Sequence, residues 1–154
     1  MNVALASDHA GFPLKEEMRN YLANRPDLKL LDLGAFGENP LDDYPDFAIK
    51  MGDAIRSGTA ERGILICGSG VGVSVAANKI PGIRAGICHD SYSAHQGVEH
   101  DDMNVLVLGS RIIGEMPARE IVDRFLAATF SNEERHRRRL AKVKEIEKEY
   151  SKAS

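Results

Sequence analysis

Cysteine occurs only twice in these 154 residues, no apolar run approaches the length of a membrane span, and the paired spacings C-x-x-C and H-x-x-x-H do not occur. Each gap removes a class of protein. Two cysteines, with Met1 leading straight into an apolar strand pattern and no signal-like leader, point to a reducing, cytoplasmic compartment. Without a long apolar run there is no membrane partner to expect. Without ligand pairs, a metal hydrolase built on Cys67, Cys88, His89 or His100 loses its sequence support, and no metal is expected. A dinucleotide enzyme is suggested by a glycine loop with Asp90 about twenty residues further on. Its spacing is nonetheless G-x-G-x-G instead of G-x-G-x-x-G, and it follows a later strand than the first.

Net charge is also small, at −3. Residues 131–154 hold eight Lys/Arg against five Asp/Glu, and residues 1–130 hold twelve against eighteen, so an acidic body carries a basic tail. The tail lacks interleaved aromatics and the body would repel a phosphate backbone, which argues against nucleic acid as a partner. With 43% hydrophobic residues the chain can bury one core, and a single domain over 1–154 is expected.

Short apolar runs at 3–7, 28–33, 63–67, 83–88 and 105–109 read as strands. Between and after them, stretches at 14–24, 46–57, 71–79, 91–99, 118–129 and 133–150 carry helical period. Strands separated by single helices imply right-handed crossovers, hence an α/β, Rossmann-like three-layer sandwich around a five-stranded parallel sheet. Ligands of such sheets collect at the carboxyl ends of strands, near a topological switch point. The residues to watch are therefore Asp8, His9 and Gly11, the 67–72 loop, His89 with Asp90, and Ser110 with Arg111. His100 and Asp101 close a helix, an end that normally lies at the other side of the sheet.

The run Gly63-Ile64-Leu65-Ile66-Cys67-Gly68-Ser69-Gly70-Val71-Gly72 delivers a thiol from an apolar strand onto three glycines and a serine. Glycines let backbone N–H groups converge on a bound group, and the following helix adds its positive end. Such surroundings favour a thiolate. The plainer alternative is a small core cysteine before a tight strand-to-helix turn.

Taken together, Ser7-Asp8-His9-Ala10-Gly11, Asp43-Tyr44-Pro45, the 67–72 loop, Ala76-Ala77-Asn78-Lys79, Asn104-Val105-Leu106 and Gly109-Ser110-Arg111 resemble the ribose-5-phosphate isomerase B and galactose-6-phosphate isomerase family, over nearly the whole chain. The resemblance implies an aldose-ketose isomerase of the pentose phosphate pathway, acting on D-ribose 5-phosphate and D-ribulose 5-phosphate through an enediolate. A six-carbon substrate, allose 6-phosphate or galactose 6-phosphate, is the alternative. It implies Cys67 as the base, the N–H groups of Gly68, Gly70, Val71 and Gly72 as an oxyanion hole, and Ser69 as a proton shuttle between sugar oxygens. One branch of the family uses a glutamate just after the loop, where this chain has Val73.

By the same resemblance His100 opens the furanose ring, Asp8 binds sugar hydroxyls, His9 faces the phosphate, and Tyr44 lines the pocket. Arg111, Arg135 and Arg139 match phosphate-binding arginines; the last two stand at i and i+4 on the tail helix, where both forks can point one way. In relatives the tail helix reaches across a dimer, so a homodimer or tetramer with shared sites is implied, and no cofactor. Arg137 and Arg138 read as solvated, and Leu140, Val143, Ile146 and Tyr150 form an apolar stripe that needs a partner surface. Many relatives carry asparagine where this chain has Asp101. An ionised carboxylate can only accept hydrogen bonds, so Asp101 is expected to bind a hydroxyl or to act on His100 through its charge.

Overall fold

The computed structural model describes residues 1–151. Five strands, β1 (Asn2–Ser7), β2 (Lys29–Asp32), β3 (Arg62–Cys67), β4 (Ala85–Ile87) and β5 (Val105–Gly109), form one sheet in the order β2-β1-β3-β5-β4, every pair parallel. Six helices connect and follow them: α1 (Phe12–Leu22), α2 (Tyr44–Arg56), α3 (Val71–Ala77), α4 (Ser91–Asp101), α5 (Glu115–Ala127) and α6 (Glu134–Tyr150). The α/β sandwich expected from the sequence is the observed fold.

Alternation along the central strands builds two cores. Leu5, Ile64, Ile66, Leu106 and Leu108 pack with Leu14, Met18 and Leu22 of α1, Val98 of α4 and Phe125 of α5. Ala4, Ala6, Leu65, Cys67 and Val107 point the other way, onto Phe47 and Met51 of α2 and Val73 of α3. A buried parallel sheet needs apolar residues on both faces, which is why these strands read as continuous runs. Gly63 leaves the space that the Met51 side chain fills, since a Cβ there would lie 2.1 Å from the Met51 sulfur.

Several boundaries differ from expectation for identifiable reasons. Helices α1 and α2 begin two residues early because Pro13 and Pro45 fit the first helical turn, where no N–H is needed. Strand β4 is shorter than 83–88; the Ile83 N–H bonds back to the Ile80 carbonyl in a turn, so the chain straightens only from Ala85. Helix α4 runs on to Asp101 and stops at Asp102, whose φ of 50° is left-handed. Arg84 holds that end, its Nε donating to the Asp102 carbonyl at 2.8 Å.

Strand β1 has β2 on one side and β3 on the other. The first crossover leads to one neighbour and the next strand returns to the opposite one. The carboxyl ends of β1 and β3 therefore flank a topological switch point, where a crevice opens.

Candidate active site

Cys67 is the last residue of β3, paired in register with Gly109 of β5, and is 5% exposed. Its Sγ accepts the Gly70 N–H at 3.2 Å. Gly70, at φ 86°, turns the chain from the loop into α3, a conformation that glycine adopts without the Cβ penalty. The exposed Ser69 accepts the Val71 N–H on its Oγ at 3.2 Å. Two of the loop's N–H groups thus already point at a sulfur and a hydroxyl, both able to carry a proton.

The neighbouring loops are tied to this one. The Ser110 N–H donates to the Cys67 carbonyl and the Arg111 N–H to the Gly68 carbonyl, each at 2.9 Å, while the Ser110 hydroxyl donates to the Ala10 carbonyl at 2.8 Å. Side chains close over the glycines. The Arg111 guanidinium lies where a Cβ on Gly68 would come within 3.2 Å, and the Tyr44 ring where one on Gly72 would come within 2.9 Å. Asp8, nearly buried, accepts the Gly11 N–H at 2.9 Å on one carboxylate oxygen, which leaves the other for a ligand.

His9 is held by a residue that sequence reasoning passed over. Asp42 Oδ1 lies 2.6 Å from His9 Nδ1, and this bond, ahead of the opposing effect of burial, raises the His9 pKa above its ordinary value. Asp8, His9 and Asp42 are also the one trio among the described residues whose potential metal-ligand atoms lie within 4.8 Å of one another. Hydrogen bonds to Gly11 and between His9 and Asp42 already engage all three residues.

His89 has a structural task. Its Nε2 accepts the Gly109 N–H at 2.9 Å, so that nitrogen is unprotonated, and burial pushes its pKa down. Asp90 caps α4 by accepting the Ser93 N–H at 2.6 Å. The second thiol, Cys88, is pushed up to about 11 by burial and then by Asp90, which makes it a poor nucleophile.

His100, Asp101, Arg135 and Arg139 do not join this group within one chain. Helix α4 leaves the carboxyl edge after β4 and runs back, and its end is fastened to Arg84, just before β4, at the amino edge. There the His100 ring stacks on His136, centroids 4.0 Å apart, and its Nδ1 lies 3.0 Å from the Gln96 amide. Arg135 pairs with Glu133 at 2.9 Å. Asp101 and Arg139 line a groove of about 770 Å³ together with the apolar Met103, Leu140, Val143 and Ile146.

His136 was hidden in a run of arginines. It is buried, with Nδ1 2.5 Å from the Ser131 hydroxyl, and burial and His100 lower its pKa. Its position four residues before Leu140, on the apolar stripe of α6, was the available signal. Asp42 gave no such signal, because it lies in an irregular connection without periodicity.

A thiol and backbone donors converging at the switch point of a parallel sheet mark an α/β enzyme that handles a small ligand across neighbouring loops. Residues 3–143 match the Ribose/Galactose Isomerase family model, and the chain belongs to that family. It is 41% identical to ribose-5-phosphate isomerase B of Escherichia coli, over 94% of this chain and 95% of that one. The Clostridium thermocellum ribose-5-phosphate isomerase B structure superposes with a TM-score of 0.93 at 46% identity, covering 97% of this chain and 99% of the other. The Mycoplasma genitalium enzyme, solved with bound ribulose-5-phosphate, gives 0.90 at 40% identity, covering 96% and 97%.

Proposed function

We propose that this protein interconverts D-ribose 5-phosphate and D-ribulose 5-phosphate, with Cys67 moving the proton between C2 and C1. The observation that carries this reading is the Cys67 sulfur, held by the Gly70 N–H on a glycine loop at the switch point of the sheet. The named activity of the E. coli relative and the ribulose-5-phosphate bound to the M. genitalium relative support the five-carbon substrate over a six-carbon one.

The chemistry follows from the parts. Removing the C2 proton leaves an enediolate, whose oxygens need donors placed in advance. The N–H groups of Gly68, Gly70, Val71 and Gly72 are the proposed donors, and Ser69, exposed beside them, carries a proton between O1 and O2. Asp8 accepts from sugar hydroxyls with its free oxygen, and Tyr44 walls the pocket. His9 and Arg111 face the phosphate. Proton transfers of this kind require acid and base groups only.

Ring opening and the rest of the phosphate site call for a second copy. His100, Asp101, Arg135 and Arg139 stand at the amino edge of their own sheet, so His100 of the partner subunit is the proposed acid-base group and the partner's Arg135 and Arg139 the proposed clamp. Val143, Ile146 and Tyr150 leave half or more of their surface exposed beside them, an apolar stripe suited to that contact. Two free thiols fit a cytoplasmic setting.

Turnover of ribose 5-phosphate beside allose 6-phosphate and galactose 6-phosphate tests the assignment. Cys67→Ala is expected to lower kcat by about a hundredfold to ten-thousandfold, the range of a lost general base. Full activity in that variant, or a six-carbon preference, would overturn the reading.

A further inference from the structure

Asp42 stands two residues before α2, in the connection from β2, and its side chain is only 13% exposed. One oxygen takes His9 Nδ1 at 2.6 Å, while the other is buried without a hydrogen-bond partner among the described residues. A carboxylate on Nδ1 keeps the proton on that nitrogen and sets the ring plane. Nε2 is then left for a ligand, and it makes no hydrogen bond within the described residues. His9 itself follows the end of β1, beside Asp8 and within the influence of Arg111.

We propose that Asp42 is a positioning residue, which holds His9 as an imidazolium with Nε2 presented to the phosphate end of the substrate. This rests on the reading of His9 as a phosphate contact. The charges facing His9 are unequal. The Asp42 bond, the Asp42 charge and the Asp8 charge favour the protonated ring; burial and Arg111 oppose it. An anion-binding histidine beside an arginine would otherwise shed its proton early, since each cation disfavours the other. Asp42 reverses that balance.

The sign of the pH effect follows. With Asp42 present, His9 stays charged to a pH above that of an ordinary histidine; without it the Asp8 charge stands alone against burial, the larger effect, and Arg111, so charge is lost at lower pH. Asp42→Asn is therefore expected to raise KM for ribose 5-phosphate on the order of tenfold near pH 7.5, and far less near pH 5.5, with kcat little changed. The second ionisation of the sugar phosphate, near pH 6, is common to both proteins and cancels in the ratio.

A second readout does not depend on turnover. The His9 ring can be titrated by NMR, assigned with His9→Gln, with and without inorganic phosphate. Asp42→Asn should lower the midpoint and weaken phosphate binding, and Asp42→Glu should restore both in part. An unchanged midpoint, or a KM increase equal at both pH values, would sink the proposal. Absent turnover in the wild type with the midpoint shift intact would remove the isomerase reading and leave the hold of Asp42 on His9 standing.

Discussion

Cys67 and His89 mark the two sides of one register. Cys67 ends β3, Gly109 stands opposite it in β5, and His89 accepts the Gly109 N–H, so a neutral imidazole braces the strand next to the proposed base. The sequence pointed to both residues, because each stands at or just after the end of a recognisable strand; it could not say that His89 braces a neighbouring backbone. Burial lowers the folded-state pKa of His89, so the unfolded chain binds the proton more readily. The stability this contributes is present above the unfolded value, about 6.5, and is lost as pH falls through the folded one. His136 acts in the same direction, and His9, whose pKa is raised, in the opposite one. His89→Gln, which keeps an acceptor for Gly109, is expected to flatten the fall in thermal stability between about pH 7 and pH 5 relative to wild type. Thermal melts across that range test it; parallel curves would contradict it.

At the scale of elements, every expected strand and helix has an observed counterpart, because each carries its period within its own few residues. The errors sit at ends, where prolines and turns decide. Helix α5 illustrates how an end is held from outside: Arg62, at the start of β3, donates to the Phe125 and Ala128 carbonyls at 2.6 Å each, and its guanidinium lies 5.5 Å from the Phe125 ring centroid. These bonds satisfy carbonyls that a helix terminus leaves without partners. Phe125 is fully buried between α5 and the sheet. Replacing it with alanine is expected to cost about 3–5 kcal/mol, read by denaturant unfolding, since the packed core collapses only partly around such a gap. A loss under about 1 kcal/mol would mean that the core relaxes freely there.

Across the whole molecule, the residues proposed for one reaction divide between the two edges of the sheet. Cys67, Ser69, Asp8, His9, Tyr44 and Arg111 gather at the carboxyl edge, and His100, Asp101, Arg135 and Arg139 at the amino edge. Two copies arranged about a twofold axis would unite them, each edge of one meeting the opposite edge of the other. Mixing Cys67→Ala with an Arg135→Ala/Arg139→Ala double variant, each inactive alone, should then restore up to about one quarter of wild-type activity, because half the random dimers are mixed and each has one intact site. No recovery after subunit exchange would count against shared sites.

The amino-acid sequence by itself determined the α/β class, the element order and the glycine loop after β3, because periodicity, apolar runs and glycine chemistry are local. It also carried, through the joint presence of its motifs, the resemblance that family membership bears out. Tertiary structure alone decided that Asp42, 33 residues from His9, takes its Nδ1, and that the ring on which His136 stacks is that of His100. It also fastened the end of α4 to Arg84 at the far edge from Cys67, the side on which a helix after a strand normally ends. Those outcomes depend on how separate segments meet in space, and no spacing along the chain encodes the direction in which a side chain finds a distant partner.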